Sequence, residues 1–339
     1  MKLLLHQFDL PLRHVFTISR ESTAVYRTLI VELQQDGARG FGEAGESTYY
    51  GATLDNMTAA LEQVRARLES MRLDDPADLW EALCPQLAEN RWAQCALDLA
   101  AHDLWGKLRG QPVWKLWGLS DDRLPPTDYT IGIDSIAVMV AKMQEFAGWP
   151  IYKIKLGTPN DLAIVRALRE HTDAAFRVDA NCAWGVEETI RNSAALGDLG
   201  VEFIEQPLPP EQWEGMKDVV ARSALPIVAD ESCQVESDVD RCLGFFHGVN
   251  VKLVKCGGLT PARRMLLRAR KLGLKTMVGC MTESTVSISA AAQLLPLLDY
   301  ADLDGALLLG QDVATGVTIE RGQFRFAQED GCGVRLLPR

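Results

Sequence analysis

Ile151-Tyr152-Lys153-Ile154-Lys155-Leu156, Phe176-Arg177-Val178-Asp179 and Val201-Glu202-Phe203-Ile204-Glu205 are short apolar runs with a helical pattern between them, recurring about every 25 residues. The same unit continues on both sides. Residues 129–132 lie upstream, and residues 226–230, 249–253, 275–279 and 300–304 lie downstream. Helical stretches such as 162–171, 186–196, 261–272 and 284–295 separate them. Eight strands with seven intervening helices specify a parallel sheet that closes on itself, an α/β fold of the (β/α)7β TIM-like barrel kind. A doubly wound open sheet of that length would normally carry a glycine-rich nucleotide loop. Neither G-x-G-x-x-G nor a Walker sequence occurs.

A barrel alone takes about 250 residues, so a chain of 339 has room for a second unit. Strand-like runs at 2–10, 26–34 and 40–43 precede helical patterns at 54–71, 76–89 and 92–109, the last stopped by Gly110. This reads as an α+β capping domain whose least regular segments are residues 20–26 and 45–54. Leu124-Pro125-Pro126 marks its end. The expected organisation is a capping domain over 1–123, a catalytic barrel over 124–308, and a C-terminal segment, 309–339, that packs back on the capping domain and completes it.

A net charge of −11 argues against nucleic acid or an anionic membrane as partner, since both demand clustered Lys and Arg. The 8 cysteines form no C-x-x-C pair and no local Cys/His cluster, which disfavours a zinc site. The opening MKLLLHQFDLPL turns polar too soon for a signal peptide, and no run reaches the roughly 18 apolar residues of a membrane span. A reduced, cytoplasmic chain is expected, with a small molecule as its partner. The oligomeric state stays open, a homo-oligomer included.

Barrel enzymes place their catalytic groups at the C-terminal ends of the strands. Asp179, Glu205 and Asp230 end three consecutive strands. Like charges converging on one mouth must be neutralised, and three hard oxygen ligands suit Mg²⁺, with Mn²⁺ as the usual substitute. Lysines flank these acids in barrel order. Alternation sends Lys153 and Lys155 to the same, interior side, and Lys252 lies on the other flank. A lysine acting as base must be neutral near pH 7, so its pKa must fall from about 10.4. A neighbouring ammonium and a divalent cation both push that way. Lys155 and Lys252 can then face each other across a substrate whose carboxylate sits on the metal. One removes an α-proton, the metal stabilises the enediolate, and the other lysine returns a proton to the opposite face.

Lys153-Ile154-Lys155, Val178-Asp179-Ala180-Asn181, Glu205-Gln206-Pro207, Ala229-Asp230-Glu231-Ser232 and Asn250-Val251-Lys252-Leu253 followed by Gly257-Gly258 carry a family resemblance. In order and spacing the chain resembles the enolase superfamily, muconate-lactonizing subgroup, over essentially its whole length. The resemblance implies that Asp179, Glu205 and Asp230 bind one Mg²⁺ per subunit. It implies that Lys155 and Lys252 are the acid/base pair and Lys153 their electrostatic partner. Glu231 and Lys255 are left out, because alternation points them away from their functional neighbours.

The subgroup hosts lactonizing, dehydrating and racemizing chemistry, so fold alone does not choose. Asp302-Leu303-Asp304 discriminates: two acids one residue apart on a strand share a side and make a strong site for an ammonium group. Dipeptide epimerases are similar here, with an acidic D-x-D pair on the substrate's free N-terminus. Muconate and succinylbenzoate have no ammonium to offer. Arg20 lies in Phe16-Thr17-Ile18-Ser19-Arg20, a loop that in this family folds over the barrel mouth. In L-Ala-D/L-Glu epimerases a similarly placed arginine holds the side-chain carboxylate. Residues 45–51 differ from the family pattern. Thr130, Ile131 and Glu283 are expected at the pocket wall. The resemblance thus implies a Mg²⁺-dependent epimerase that inverts the α-carbon of the C-terminal residue of a dipeptide of the L-Ala-L-Glu kind. The alternatives are o-succinylbenzoate synthase, N-acylamino-acid racemase or cycloisomerase activity, and, in another class, a catalytically silent dipeptide-binding protein. A binder needs neither lysine.

Overall fold

Leu29, Ile30, Val31 and Leu33 give one strand a fully buried apolar stretch, and the first layer forms around it. In this computed structural model, which describes residues 1–19 and 21–338, β1 (Lys2–Thr17), β2 (Ser22–Gln35) and β3 (Ala38–Gly45) form an antiparallel sheet in that order. Helices α1 (Leu54–Ser70), α2 (Pro76–Leu87) and α3 (Arg91–Arg109) complete the unit. α3 lies directly on β3 because glycines face it. A Cβ on Gly40 would sit 2.3 Å from Ala100 O, and one on Gly42 only 2.1 Å from Ala96 O. The short α4 (Val113–Leu116) leads toward the barrel.

The barrel then runs β4 (Tyr129–Ile131), α5 (Ile136–Glu145), β5 (Ile151–Lys155), α6 (Asp161–Arg169), β6 (Ala175–Asp179), α7 (Val186–Asp198) and β7 (Val201–Glu205). It continues through α8 (Trp213–Arg222), β8 (Ile227–Ala229), α9 (Glu236–Cys242), β9 (Gly248–Lys252), α10 (Leu253–Cys256) and α11 (Leu259–Lys271). β10 (Lys275–Gly279), α12 (Thr285–Ala292) and β11 (Tyr300–Asp302) finish it. The strands pair in parallel and in chain order. A bridge between Thr127 and Ala301, and Leu303 N donating to Thr127 Oγ1 at 2.8 Å, close the seam between the first and eighth strands. On β5, Tyr152 and Ile154 turn into the hydrophobic core while Lys153 and Lys155 turn into the barrel. Beneath them Arg177 braces the floor, 2.8 Å from Asp128 Oδ2, 2.8 Å from Ala301 O and 2.9 Å from Glu202 Oε2.

Several boundaries differ from the sequence expectation, and β2 begins at Ser22, inside the segment 20–26 expected to be irregular. β1 runs on to Thr17, beyond a bulge after Pro11. β8 stops at Ala229 and β11 at Asp302, so Asp230 and Asp304 stand just past their strands; Asp304 instead opens a 3₁₀ turn, Gly305–Leu308. The tail carries β12 (Ala314–Thr315), a hairpin of β13 (Thr318–Glu320) and β14 (Gln323–Arg325), and β15 (Arg335–Leu336). It divides its contacts. Cys332 N donates to Asp103 Oδ1 at 2.8 Å and Lys107 Nζ to Val334 O at 2.8 Å, both on α3. Gly322, at the hairpin turn, instead accepts from Thr127 N at 2.9 Å, below the first barrel strand. Among the described residues no helix is long and apolar enough to cross a membrane, and the cysteines are free thiols.

Candidate active site

Two turns in left-handed backbone follow acidic strand ends of the barrel. Asn181 (φ 44°), Cys182 (φ 65°) and Gln206 (φ 35°) all occupy the left-handed region that side chains normally avoid. These turns stop β6 and β7 at Asp179 and Glu205. Asn181 N donates to Asp179 Oδ1 at 2.8 Å, and Asn250 Nδ2 donates to Glu205 Oε1 at 2.8 Å. Gln206 Oε1 accepts from Asp230 N and Ser232 N, each at 3.0 Å, and so fixes the end of β8 against that of β7. The result is a buried triad: one oxygen from each of Asp179, Glu205 and Asp230 lies within 4.8 Å of the others.

The lysines occupy three levels around it. Lys153, only 1% exposed, sits beneath, with Nζ 2.6 Å from Asp302 Oδ2 and 2.7 Å from Glu205 Oε2. It does not reach the cavity wall. Lys155 Nζ lies 2.7 Å from Asp179 Oδ2 and Lys252 Nζ 3.0 Å from Asp230 Oδ2, and both line the cavity. Lys255, set aside by the alternation rule, joins them. Its Nζ donates to Asp230 O at 2.7 Å and also bonds Asp230 Oδ1. Alternation fails there because the chain leaves β9 at Lys252 and turns at once into α10. Glu231 likewise lines the cavity, since β8 has already ended.

Burial works against every charge in this cluster, and the neighbours decide which survive. Burial pushes Glu205 up to about 7 against the pull of Lys153. Burial opposes the Asp179 carboxylate too, but Lys155 and Lys153 hold its pKa below the usual range. Lys252 departs from expectation. Burial would lower its pKa, yet the Asp230, Glu205 and Asp302 carboxylates together outweigh burial and hold it well above the ordinary lysine value. Asp302 and Asp304 are driven apart. Burial opposes the Asp302 carboxylate, but Lys153, Lys155 and Lys252 together hold it down at about 2, whereas burial, then the Asp302 charge, pushes Asp304 up to about 7.

Above the triad lies a cavity of about 260 Å³. Asp302 and Asp304 form one wall with Cys280, although Asp304 is no longer on the strand. Asp304 accepts from Thr130 N at 2.6 Å and from Thr130 Oγ1 at 3.3 Å, which ties the barrel seam at the site. Phe16, Ile18, Val25, Tyr49 and Tyr50 of the first domain roof it. Thr130 faces the cavity. Ile131 does not: the next residue on the strand, it points the other way and is fully buried in the hydrophobic core. Glu283 is buried behind the wall, where burial, then Glu43, pushes it up to about 8. Arg20 lies outside the described residues. Sequence reasoning did not single out Asn250, Gln206 or Asn181 as supports. Their signal was available in the stretches around the acids, where each follows or faces a carboxylate.

An eight-stranded barrel, capped by an α+β domain and carrying acids on three successive strand ends between two lysines, is the architecture of enolase-type enzymes. The chain belongs to the mandelate racemase / muconate lactonizing enzyme family: residues 5–118 match its N-terminal domain and residues 136–339 the enolase C-terminal domain-like model. It is 56% identical over 337 residues to the L-Ala-D/L-amino acid epimerase of Flavobacterium johnsoniae, covering 99% of this chain and 100% of that protein. Among solved structures it resembles a substrate-liganded complex of the L-Ala-D/L-Glu epimerase from Bacillus subtilis, with a TM-score of 0.93 and 27% identity over 98% of this chain and 99% of that one. It also resembles a dipeptide epimerase from Enterococcus faecalis complexed with Mg and the dipeptide L-Leu-L-Tyr, with a TM-score of 0.92 and 30% identity over 98% of both chains.

Proposed function

We propose that this chain is a Mg²⁺-dependent dipeptide epimerase that inverts the α-carbon of the substrate's C-terminal residue by proton transfer between two lysines, on dipeptides of the L-Ala-L-Glu kind. The barrel, 124–308, carries the chemistry, the segment 1–123 caps it, and 309–339 braces both. The observation that supports the reading most is that Lys155 and Lys252 line one cavity, the first 2.7 Å from Asp179 Oδ2 and the second 3.0 Å from Asp230 Oδ2.

The acids fit a divalent cation. They are three buried oxygen donors within 4.8 Å of one another, and Glu205 Oε2 accepts no hydrogen bond among the described residues, although Lys153 Nζ stands 2.7 Å away. Hard oxygen ligands of this kind suit Mg²⁺. When bound, such an ion would supply positive charge to a substrate carboxylate and so stabilise negative charge developing on it. Asp179, Glu205 and Asp230 would hold it. Lys153 and Lys255 neutralise those acids from below and behind without touching substrate.

Lys155 and Lys252 divide the proton transfer. The lysine facing the α-hydrogen must enter neutral and leave as an ammonium, while the one on the other face enters as an ammonium and gives up its proton to the α-carbon. The roles exchange for the reverse reaction. Asp302 and Asp304 supply negative charge on the wall where a free α-ammonium would sit. The roof excludes water from the proton being moved.

Lys155→Ala and Lys252→Ala test this directly. Each should lower epimerization on the order of 10²–10⁴-fold, and one of them should still exchange the α-proton of a single enantiomer with solvent deuterium. Epimerization near the wild-type rate in either variant would reject the two-lysine mechanism.

A further inference from the structure

Two buried carboxylates of the first domain reach across to the barrel at points that this mechanism does not use. Glu43, on β3, is fully buried and accepts from Ser284 Oγ at 2.5 Å, Ser284 N at 3.1 Å and Ser287 N at 3.1 Å, with Thr28 Oγ1 at 3.0 Å on its own side. Ser284 is the N-cap of α12. Asp98, on α3 and 3% exposed, accepts from Thr260 N and Thr260 Oγ1, each at 2.8 Å, in the first turn of α11. The approach is close enough to dictate the preceding residue: a Cβ on Gly258 would stand 2.4 Å from Asp98 Oδ2, and Gly258 has φ 129°.

A helix begins with N–H groups that have no partner within the helix and carries a partial positive charge, so a buried carboxylate there satisfies both. What matters is which helices these are. α11 follows the β9–α10 segment that carries Lys252 and Lys255, and α12 follows the stretch Cys280-Met281-Thr282 that forms part of the cavity wall. We propose that Glu43 and Asp98 are positioning residues: by seating the first turns of α12 and α11, the capping domain sets the register of the segments that follow the sixth and seventh strands, the first directly after Lys252 and the second along the cavity wall. The proposal rests on the proton-transfer role given to Lys252. It makes the docked capping domain part of the active-site scaffold rather than only a cover. Neither carboxylate touches the triad, but Lys255 on α10 bonds Asp230, so metal affinity and proton transfer should separate for Glu43, which seats α12, and less cleanly for Asp98, which seats α11.

Glu43→Gln keeps the side chain's shape but puts a donor among donors, and Thr260→Val removes one of the two bonds to Asp98 at constant shape, so it serves if Glu43→Gln does not fold. Both variants of the full chain would be compared with wild type for amide hydrogen exchange over residues 253–260 and 280–288, for Mn²⁺ affinity, and for kcat and KM on a dipeptide that wild type turns over. The expected result is faster exchange in the corresponding loop for each variant and, for Glu43→Gln, unchanged Mn²⁺ affinity with a fall in kcat on the order of ten- to a hundredfold; the fall in kcat is smaller for Thr260→Val. Folded variants with wild-type loop exchange and wild-type kcat would overturn the proposal. If wild type turns over no dipeptide, the functional reading fails, and the exchange measurement still decides whether the two carboxylates set these loops.

Discussion

Single side chains here are legible to the extent that strand alternation governs them. Thr130 and Lys155 face the cavity as the period of two requires, and Ile131, next along the strand, is in the core for the same reason. The rule fails where a strand has already ended, which is why Lys255 and Glu231 were missed and why Asp304 reaches the wall by a 3₁₀ turn instead of by pleat. Asp302 and Asp304 are also less idle than two neighbouring acids suggest, since Lys153 holds the first and Thr130 the second. Their proposed grip on a free ammonium predicts a difference between substrates. A charge-assisted hydrogen bond contributes about 1.5–3 kcal/mol, and about 1.4 kcal/mol is tenfold in rate. N-acetylation of a dipeptide should therefore lower kcat/KM by roughly tenfold or more for each bond lost. Asp302→Asn should lower kcat/KM for the free dipeptide to a similar degree and for the acetylated one much less. Equal kcat/KM on free and acetylated substrates would remove the ammonium clamp.

At the scale of elements, the alternating pattern predicts the barrel well because each strand end is also a chemical signal: an acid or lysine closes an apolar run. The supports between the two domains were not legible, because they join residues far apart in the sequence: Glu43 and Ser284 are 241 positions apart, Asp98 and Thr260 162. Burial around this junction has a measurable consequence. Glu283 is pushed from 4.5 up to about 8, first by burial and then by Glu43. An acid whose folded pKa is raised keeps its proton in the folded state after the unfolded chain has lost it. Glu283 should then make the protein progressively less stable as pH rises from about 4.5 to about 8. In Glu283→Gln that contribution is absent, so Tm should decline less steeply with pH across this window than in wild type. Parallel Tm–pH curves would show that Glu283 ionises freely in the fold.

The whole molecule is two layers sharing one site: a barrel that gathers acids and lysines, and a capping domain that roofs them with Phe16, Ile18, Val25, Tyr49 and Tyr50. Neither layer alone encloses the cavity. Activity should depend on the metal at the triad as well as on this enclosure, and the two are separable. Glu205→Gln should abolish turnover while leaving the cooperative thermal transition in place, whereas full activity after exhaustive chelation would contradict the role given to Asp179, Glu205 and Asp230. The central claim is that this chain moves the α-proton of the C-terminal residue of a free dipeptide, and one measurement meets it head on. The protein is incubated with Mg²⁺ and a library of L,L-dipeptides in D₂O, and deuterium content and epimer are read by mass spectrometry after chiral separation. The account predicts a single deuterium at the C-terminal α-carbon, appearing together with the L,D-epimer in dipeptides that begin with L-Ala, and none of either after chelation. Deuterium appearing only in N-acylated amino acids, with every free dipeptide unlabelled, would contradict it.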